Sequence, residues 1–205
     1  LSGLVGSEMC IRDRYNFSVD WFTSGIPHLD ATLNIIGKTR TDPLRILEIG
    51  SYEGRSATWI SDNLLDHNDS VLWCIDTFEG GFEHAGDDNL KSLLDTFYSN
   101  ISQSKNFNKI RVMVNDSKQA MPLMIKNEMK FDYIYIDGSH QTLDVIHDGL
   151  NAFNLLADNG AIIFDDYEWN YYGDYMVKKA CNVLEIMLPL VPRLCAYQRT
   201  YTISK

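Results

Sequence analysis

The stretch FDYIYIDGSHQTLDVIHDGL, residues 131–150, combines the two periodicities that decide the fold. Its beginning is almost continuously apolar and rich in aromatic and β-branched side chains, which is typical of a buried β-strand. A helical pattern follows, with apolar residues at positions that share one helix face: Leu143, Ile146, Leu150 and Phe153. The stretch therefore predicts a strand and a helix, joined by an acidic turn that carries Asp137 and His140.

Four other segments share this strand-like composition, and helical patterns separate them: residues 44–50, 70–76, 109–116 and 160–166. In the first intervening segment, Ala57, Ile60 and Leu64 lie on one helix face. Strands that are apolar on both sides and alternate with helices indicate a parallel sheet covered by helices on both faces. We therefore expect a single α/β domain.

The end of the chain contains two further strand-like runs, RLCAYQ at residues 193–198 and TYTISK at residues 200–205. Strands this close in sequence can pair only as an antiparallel hairpin. The predicted sheet is therefore mainly parallel, has seven strands, and ends in an antiparallel C-terminal hairpin.

Residues 1–14 do not share this pattern. Their segment GSEMCIRDR, residues 6–14, resembles the translation of a transposon-end adapter used in preparing sequencing libraries, a known contaminant of reading frames assembled from environmental DNA. The rival interpretation is a disordered N-terminal tail. On either interpretation the domain spans residues 15–205, and the adapter interpretation implies a truncated natural N-terminus.

The composition of the 205-residue chain limits its functions. A formal net charge of −10 argues against binding to a nucleic-acid backbone, which proteins recognise with basic faces. No apolar run approaches the roughly 20 residues of a membrane-spanning helix. The four cysteines lack the spacing of disulfide or metal sites, so we expect reduced thiols in a soluble, cytoplasmic protein that binds a small molecule.

Acidic residues stand at the ends of the five predicted parallel strands: Glu48, Asp76, Asp116, Asp137, Asp165 and Asp166. Ligands of such sheets bind outside the carboxyl ends of the strands. A single aspartate after a strand is usually a turn former, but several carboxylates at one edge of a sheet repel one another. The pattern therefore indicates a cation nearby.

The turn after the first strand, LEIGSYEGRSA at residues 47–57, has the spacing E-x-G-x-x-x-G. Gly50 and Gly54 allow a tight turn and a close approach of the backbone to a ligand. Glu48 would repel the pyrophosphate of a dinucleotide, whereas it would attract a ligand that carries sulfonium and ammonium groups. Asp76, at the end of the second strand, is placed to accept hydrogen bonds from the two hydroxyls of a ribose.

These motifs resemble those of class I S-adenosylmethionine-dependent methyltransferases, and the resemblance extends from residue 44 to the end of the chain. It implies a Rossmann-like domain with S-adenosylmethionine as the cofactor. The implied contacts are Glu48, Gly50, Ser51, Tyr52 and Gly54 at the methionine part, Asp76 at the ribose, and Asp116 and Ser117 near the adenine. Asn115 stands where the family more often has glycine.

The segments YIDGSHQTLDVIHD and GAIIFDDYEW are similar to a branch that includes metal-dependent sugar O-methyltransferases and relatives named after a cephalosporin hydroxylase. The resemblance implies that Asp137, Asp165 and Asp166 bind a divalent metal ion, and that His140 acts with Asp137 in catalysis, as the general base. Oxygen ligands favour Mg²⁺ over zinc or copper. Because Mg²⁺ can coordinate neighbouring hydroxyls and lower the pKa of one, the expected acceptor is a small polyhydroxylated molecule, a sugar or a glycosylated metabolite.

Simpler interpretations of the same residues stay open. Asp137 and Gly138 form a common turn pair, and Ser139 can cap the following helix. His147 and Asp148, further along that helix, are expected on a solvated face.

Two other functions also stay open. A metal-independent N- or carboxyl-methyltransferase would use the acidic cluster to attract a basic substrate, and a non-catalytic module would keep only the cofactor site. Trp169, Tyr171 and Tyr172 follow the acidic pair and either stack on an acceptor or pack against the core. Relatives of this kind are often dimeric or larger, so a homo-oligomer is a further alternative.

Overall fold

The computed structural model describes residues 14–84, 86, 88–188, 191–193 and 201–204. The strands of this part of the chain are β1 (Arg45–Ile49), β2 (Val71–Asp76), β3 (Ile110–Val114), β4 (Phe131–Ile136), β5 (Leu156–Phe164), β6 (Val191–Arg193) and β7 (Tyr201–Ser204). Its α-helices are α1 (Ile26–Ile35), α2 (Arg55–Leu64), α3 (Leu93–Ile101), α4 (Ser117–Lys126), α5 (Thr142–Leu155) and α6 (Met176–Met187). Short 3₁₀ turns cover Thr23–Gly25, Phe82–His84, Asp88–Ser92 and Phe107–Lys109.

The strands form one sheet in the order β3-β2-β1-β4-β5-β7-β6. Strands β1 to β5 are parallel, in a register that pairs Ile49 with Ile75 on one side and with Ile136 on the other. The prediction of a Rossmann-like α/β fold with a parallel sheet is confirmed by these five strands. Because the chain runs outward from β1 to β3 and then returns to β4, the loops after β1 and β4 diverge near the centre of the sheet.

Two short strands extend the sheet beyond β5. Strand β7 pairs antiparallel with β5, and β6 pairs antiparallel with β7. The sequence predicts the first hairpin strand at residues 193–198, but β6 ends at Arg193. The rest of that predicted strand and the predicted hairpin turn, residues 194–200, lie outside the described residues.

Side chains of the central strands alternate between the two faces of the sheet, as the pleat of a strand requires. Tyr133 and Tyr135 of β4 belong to a core that α1, α2 and α3 cover, whereas Ile134 and Ile136 belong to a second core under α4, α5 and α6. The predicted apolar face of α2 is confirmed, since its three members are fully buried: Ala57, Ile60 and Leu64.

The buried face of α5 agrees only in part with the prediction. Leu143 is 79% exposed, but the other three predicted residues, Ile146, Leu150 and Phe153, are partly buried and pack against the second core. The residues that the helix buries most deeply are Val145, Asp148, Gly149, Ala152 and Leu155. Small residues form much of this face, and a hydrophobic pattern gives them little weight although they let a helix approach its neighbours closely. The prediction that Asp148 lies on a solvated face is therefore wrong.

Cys74 and Cys181 are buried and free, whereas Cys10 and Cys195 lie outside the described residues. Burial raises the pKa of both buried thiols, which keeps them protonated at neutral pH. Among the described residues, no helix combines the length and the apolar character that are needed to cross a lipid bilayer.

The contact between α5 and α6 depends on Gly149. A Cβ atom at this position would overlap with Leu184 Cδ1 and lie 3.2 Å from Phe164 Cζ. We expect Gly149→Ala to lower the free energy of unfolding by about 1–3 kcal/mol, although alanine is the better helix former by about 1 kcal/mol. Urea unfolding of the two proteins measures this difference.

Leu184→Ala provides the control for this prediction. It removes the side chain that the new methyl group would meet. Gly149→Ala should therefore cost less in the Leu184→Ala background than in the wild type. An equal cost in the two backgrounds would show that the contact with Leu184 does not limit the size of residue 149.

Candidate active site

A cavity of about 770 Å³ opens at the carboxyl ends of the parallel strands. It lies where the loops after β1 and β4 diverge, which is the usual ligand position in such sheets, and it has the volume of a small-molecule site. The N-terminal segment closes one side of it with Val19, Trp21 and Phe22. A hydrogen bond from Ser18 N to Glu53 Oε2 (2.7 Å) fastens this segment to the loop after β1.

The loop after β1 forms the centre of the cavity wall. Gly50 has a φ of 83°, and a Cβ atom there would overlap with the carbonyl oxygen of Asp137, so only glycine lets the loops after β1 and β4 meet. Tyr52 has a φ of 48° although it carries a side chain, a conformation that is uncommon outside functional sites and turns. Gly54 packs against Phe97 and does not reach the cavity.

The carboxylate of Asp76 holds this loop in place. Its Oδ2 accepts hydrogen bonds from the backbone N–H groups of Ser51 (2.6 Å) and Tyr52 (2.9 Å), and its Oδ1 accepts one from Phe78 (2.7 Å). A carboxylate has about four acceptor positions, so one remains for a ribose hydroxyl. Asp76 therefore organises the loop, a role that the sequence did not indicate, and keeps an acceptor position for one of the two ribose hydroxyls of the prediction.

Glu48 lies behind the cavity wall. Its side chain is fully buried, and Ser51 Oγ donates a hydrogen bond to it. Burial raises the pKa of Glu48 to about 7, and the nearby carboxylate of Asp76 acts in the same direction. Glu48 thus supports the loop from below, whereas Gly50, Ser51 and Tyr52 line the cavity.

The residues predicted near the adenine follow β3. Asp116 lines the cavity and caps α4, because its Oδ1 accepts a hydrogen bond from Lys118 N (2.8 Å). Ser117 Oγ donates to Asp148 Oδ1 (2.7 Å), and both of these residues also line the cavity. Burial raises the pKa of Asp148 to about 6. Asp148 therefore adds a polar group to this part of the wall. The sequence did not indicate this role, because Asp148 lies inside a helix.

The acidic turn after β4 meets the residues after β5 at another part of the cavity. Asp137, His140 and Asp166 each offer one ligand atom, and these three atoms lie within 4.8 Å of one another. His140 Nε2 is 3.1 Å from Asp166 Oδ2, and His140 Nδ1 is 3.2 Å from Glu83 Oε1. The structure thus brings together three of the residues that the sequence singled out.

The electrostatics of this group follow from burial and charge. Burial raises the pKa of Asp137 well above its usual range, and the carboxylates of Asp165 and Asp166 raise it further. Burial by itself would lower the pKa of His140, but the carboxylates of Asp166 and Glu83 outweigh it and raise this pKa to about 10. His140 is therefore a cation at neutral pH in this arrangement, and it offsets part of the repulsion between the carboxylates.

Asp165, the third predicted metal ligand, has a different partner. Its buried carboxylate accepts a hydrogen bond from the hydroxyl of Tyr135, and the same hydroxyl is 3.5 Å from Asp137 Oδ2. Asp165 lines the cavity beside the other carboxylates but does not belong to the group of converging ligand atoms.

Sequence reasoning missed two members of this site, Glu83 and Tyr135. Tyr135 stands between two apolar residues in β4, so the pattern predicts a core residue. Nothing in the pattern indicates that its hydroxyl belongs to the site. Glu83 lies in the loop segment EGGFEH, which has no strand or helix periodicity that would predict where its side chain lies. Only the folded structure shows that the loop brings Glu83 to His140.

Aromatic side chains border the cavity beside His140. The ring of Trp169 lies 4.7 Å from the ring of His140, measured between centroids, and it stacks on Tyr171 at 5.5 Å. Phe82 meets Tyr171 edge-on at 5.1 Å. Trp169 lines the cavity, whereas Tyr172 is 93% exposed. Of the three predicted aromatic residues, Trp169 is thus the one that faces the site.

A parallel α/β sheet with a small-molecule cavity at its carboxyl edge, and with an acidic residue near the end of its first strand, is the arrangement of class I S-adenosylmethionine-dependent methyltransferases. The profile of a family described as "Methyltransferase domain" matches residues 47–167, which is more than half of the chain. The chain belongs to this family. No curated protein sequence matches it.

Solved structures share the fold at low sequence identity. The O-methyltransferase from Bacillus cereus in complex with SAH is 18% identical, with 98% of this chain and 88% of that chain covered and a TM-score of 0.62. The calicheamicin methyltransferase is 12% identical, with 88% and 78% covered and a TM-score of 0.62. The MycE methyltransferase from the mycinamycin pathway, in complex with Mg, SAH and mycinamycin VI, is 16% identical, with 95% and 52% covered and a TM-score of 0.60.

The buried carboxyl group of Glu48 makes the stability depend on pH. Its pKa rises from an ordinary value of 4.5 to about 7 on folding, so its contribution to stability is complete below pH 4.5 and is lost as the pH rises through 7. Glutamine stays neutral at every pH. We therefore expect the free energy of unfolding of the wild type to fall relative to that of Glu48→Gln between pH 4.5 and 7.

Urea unfolding of both proteins across this pH range measures the difference. Other titrating groups are common to the two proteins, so their effects cancel in the comparison. If the two stability curves run parallel, the pKa of Glu48 does not change on folding and the prediction is wrong.

Proposed function

We propose that the protein transfers the methyl group of S-adenosylmethionine to a hydroxyl oxygen of a small polyhydroxylated acceptor, a sugar or a glycosylated metabolite, with the help of a divalent metal ion. The observation that carries the proposal is the convergence of Asp137, His140 and Asp166 in the same cavity as the loop of Gly50 and Tyr52. Candidate metal ligands and a candidate base thus lie beside the candidate cofactor loop.

The cavity suits a positively charged cofactor. Ten acidic residues line it, against two residues that are lysine or arginine. Asp76 keeps an acceptor position for a ribose hydroxyl. We assign Ser51 and Tyr52 to the methionine part of the cofactor and Asp116 to its adenine, and all three line the cavity. When bound, S-adenosylmethionine supplies an electrophilic methyl group on a sulfonium centre, which the surrounding carboxylates attract.

The donor set fits a hard divalent cation. Asp137 and Asp166 offer converging carboxylate oxygens, and Asp165 lies on the same wall. Burial and the repulsion from Asp165 and Asp166 raise the pKa of Asp137, and a cation at this position would relieve the repulsion. Oxygen donors suit Mg²⁺, which when bound would lower the pKa of an acceptor hydroxyl.

We assign His140 to proton transfer and not to metal binding. Mg²⁺ prefers oxygen ligands, and its positive charge beside Asp166 would lower the pKa of His140 from the raised value of the metal-free arrangement. The imidazole would then be neutral and available as the base. Its ring stands between the carboxylates and Trp169, at the border of the space that an acceptor would enter. A base in this position contributes about 10²–10⁴-fold to the rate.

Two structural relatives support the type of acceptor and the metal. One is described as a TDP-rhamnose 3′-O-methyltransferase of calicheamicin biosynthesis, and MycE was solved with Mg, SAH and mycinamycin VI. Their identity to this chain is 11% and 16%, so they support a sugar-bearing acceptor and Mg²⁺ by analogy of fold.

A metal-independent methyltransferase is the second candidate function. His140 already contacts the carboxylates of Asp166 and Glu83, so part of their repulsion is compensated without a metal ion. On this alternative the acidic wall attracts a basic substrate, and a chelator leaves the transfer rate unchanged.

Asp76 tests the cofactor assignment. We expect Asp76→Asn to weaken S-adenosylmethionine binding at least about tenfold, because it removes a charged hydrogen-bond acceptor from the loop and from the ribose. Isothermal titration calorimetry measures the affinity. The control is Asp69→Asn, whose side chain is 83% exposed and lies outside the cavity. Equal affinities of the two variants would contradict the assignment.

Asp137 and Asp166 test the metal assignment. We expect Asp137→Asn and Asp166→Asn each to weaken the binding of Mn²⁺, used in place of Mg²⁺, at least about tenfold. Electron paramagnetic resonance measures free Mn²⁺ directly. Glu168→Gln is the matched control, because Glu168 is close in sequence to Asp166 but pairs with Lys178 at the surface. Wild-type Mn²⁺ affinity in both variants would favour the metal-independent alternative.

A further inference from the structure

Glu83 reaches His140 from the loop between β2 and α3. Its Oε1 is 3.2 Å from His140 Nδ1, and both side chains are largely buried, with 16% and 15% of their surface exposed. Within the described part of the chain, the buried Oε2 of Glu83 has no hydrogen-bond partner, and neither ring nitrogen of His140 has the geometry of a hydrogen bond, so the two side chains meet as an ion-pair contact. Among the described residues, Glu83 Oε1 makes its shorter ion-pair contact with His140 Nδ1 and a longer one, at 3.6 Å, with His84 Nδ1.

The backbone of the loop accounts for this position. A Cβ atom at Gly81 would lie 2.5 Å from Glu83 Oε1 and 2.6 Å from Oε2, so the carboxylate folds over Gly81 because that residue has no side chain. His84 is the other imidazole nearby, but its Nδ1 accepts a hydrogen bond from Gly81 N (3.1 Å) and has no proton to donate to Glu83. Glu83 is therefore directed at His140.

We propose that Glu83 is a positioning residue for His140: its carboxylate accepts a hydrogen bond from Nδ1–H and thereby fixes the orientation of the ring. Nε2 is then the atom that accepts the proton of the acceptor hydroxyl. The inference rests on the proposed O-methyl transfer. The hydrogen bond at one ring nitrogen of a histidine decides which nitrogen is free, and a carboxylate on Nδ1 serves this purpose in hydrolytic triads.

The positions of the two nitrogens agree with this assignment. Nδ1 points toward Glu83 and the loop, whereas Nε2 points toward Asp166, on the side of the candidate metal ligands. An acceptor oxygen held near Asp137 and Asp166 would therefore meet Nε2. Proton transfer from the hydroxyl to Nε2 leaves an imidazolium that the carboxylate of Glu83 stabilises through Nδ1.

The same short turn contacts three parts of the cavity border. Phe82 packs on Tyr171, Glu83 contacts His140, and the ring of His84 stacks on that of Tyr52 with 5.3 Å between centroids. The orientation of the base is thus tied to the placement of the loop that borders both the cofactor side and the acceptor side.

Nuclear magnetic resonance of protein labelled with ¹⁵N-histidine tests the inference without turnover. We expect a low-field Nδ1–H proton signal of His140, assigned by its loss in His140→Gln, in the wild type. The signal should persist in Asp88→Asn, a control in the same loop whose side chain is 90% exposed. It should be lost or shifted upfield in Glu83→Ala.

Gly81→Ala is the second test variant. The new methyl group would displace the end of a flexible side chain and not the backbone, so the fold should persist while the carboxylate leaves His140. The Nδ1–H signal should therefore change as in Glu83→Ala although Glu83 is still present. A signal that is unchanged in both variants would overturn the inference.

Kinetics and binding separate this inference from the proposed function. On an acceptor that the wild type methylates, Glu83→Ala should lower kcat roughly 10- to 100-fold and leave the affinity for S-adenosylmethionine unchanged. If the wild type binds no S-adenosylmethionine, the proposed function fails. The magnetic resonance comparison still tests whether Glu83 contacts His140. If transfer occurs at the wild-type rate in Glu83→Ala, the positioning role alone is wrong.

Discussion

The backbone contact between Gly50 and the carbonyl oxygen of Asp137 is the constraint on which the site depends. Strands β1 and β4 are neighbours in the sheet, and their following loops leave in different directions because the strand order reverses between them. A side chain at residue 50 would force these loops apart. The glycine therefore sets the distance between the loop that carries Ser51 and Tyr52 and the turn that carries His140.

Electrostatic repulsion is the second constraint on this edge of the sheet. Asp76 and Asp116 resolve it by accepting hydrogen bonds from backbone N–H groups, Asp76 from the loop after β1 and Asp116 from the first turn of α4. Among the described residues, the Asp137 carboxylate accepts no backbone hydrogen bond, and burial together with the proximity of Asp165 and Asp166 raises its pKa. The carboxylates of one edge thus divide into structural acceptors and a group whose charge is partly compensated by His140.

Much of this architecture could be predicted from local patterns. The five parallel strands are continuous apolar runs, and the acidic residues at their ends necessarily share the carboxyl edge of the sheet. What could not be predicted depends on contacts between distant segments. The burial of Asp148 follows from small neighbours that let α5 approach closely, the burial of Glu48 follows from its place in a central strand, and the position of Glu83 follows from a loop without periodicity.

The acidic pair after β5 shows how backbone conformation changes what a strand pattern predicts. In the register of the sheet Tyr135 pairs with Ile163, so Asp137 and Asp165, two residues further on, share the face of the Tyr135 hydroxyl. Asp166 has the opposite parity and would leave this face in an extended strand. Its φ of 52° turns the chain instead and brings its carboxylate to His140.

This turn carries a conformational cost. A residue other than glycine in the left-handed region is strained by about 1–3 kcal/mol, and such strain persists where the surrounding structure requires it. Here the strain falls on the residue that completes the group of converging ligand atoms, Asp137, His140 and Asp166. An unstrained strand would have placed the carboxylates of Asp165 and Asp166 on opposite faces of the sheet. The bend at Asp166 instead places both on the wall of one cavity.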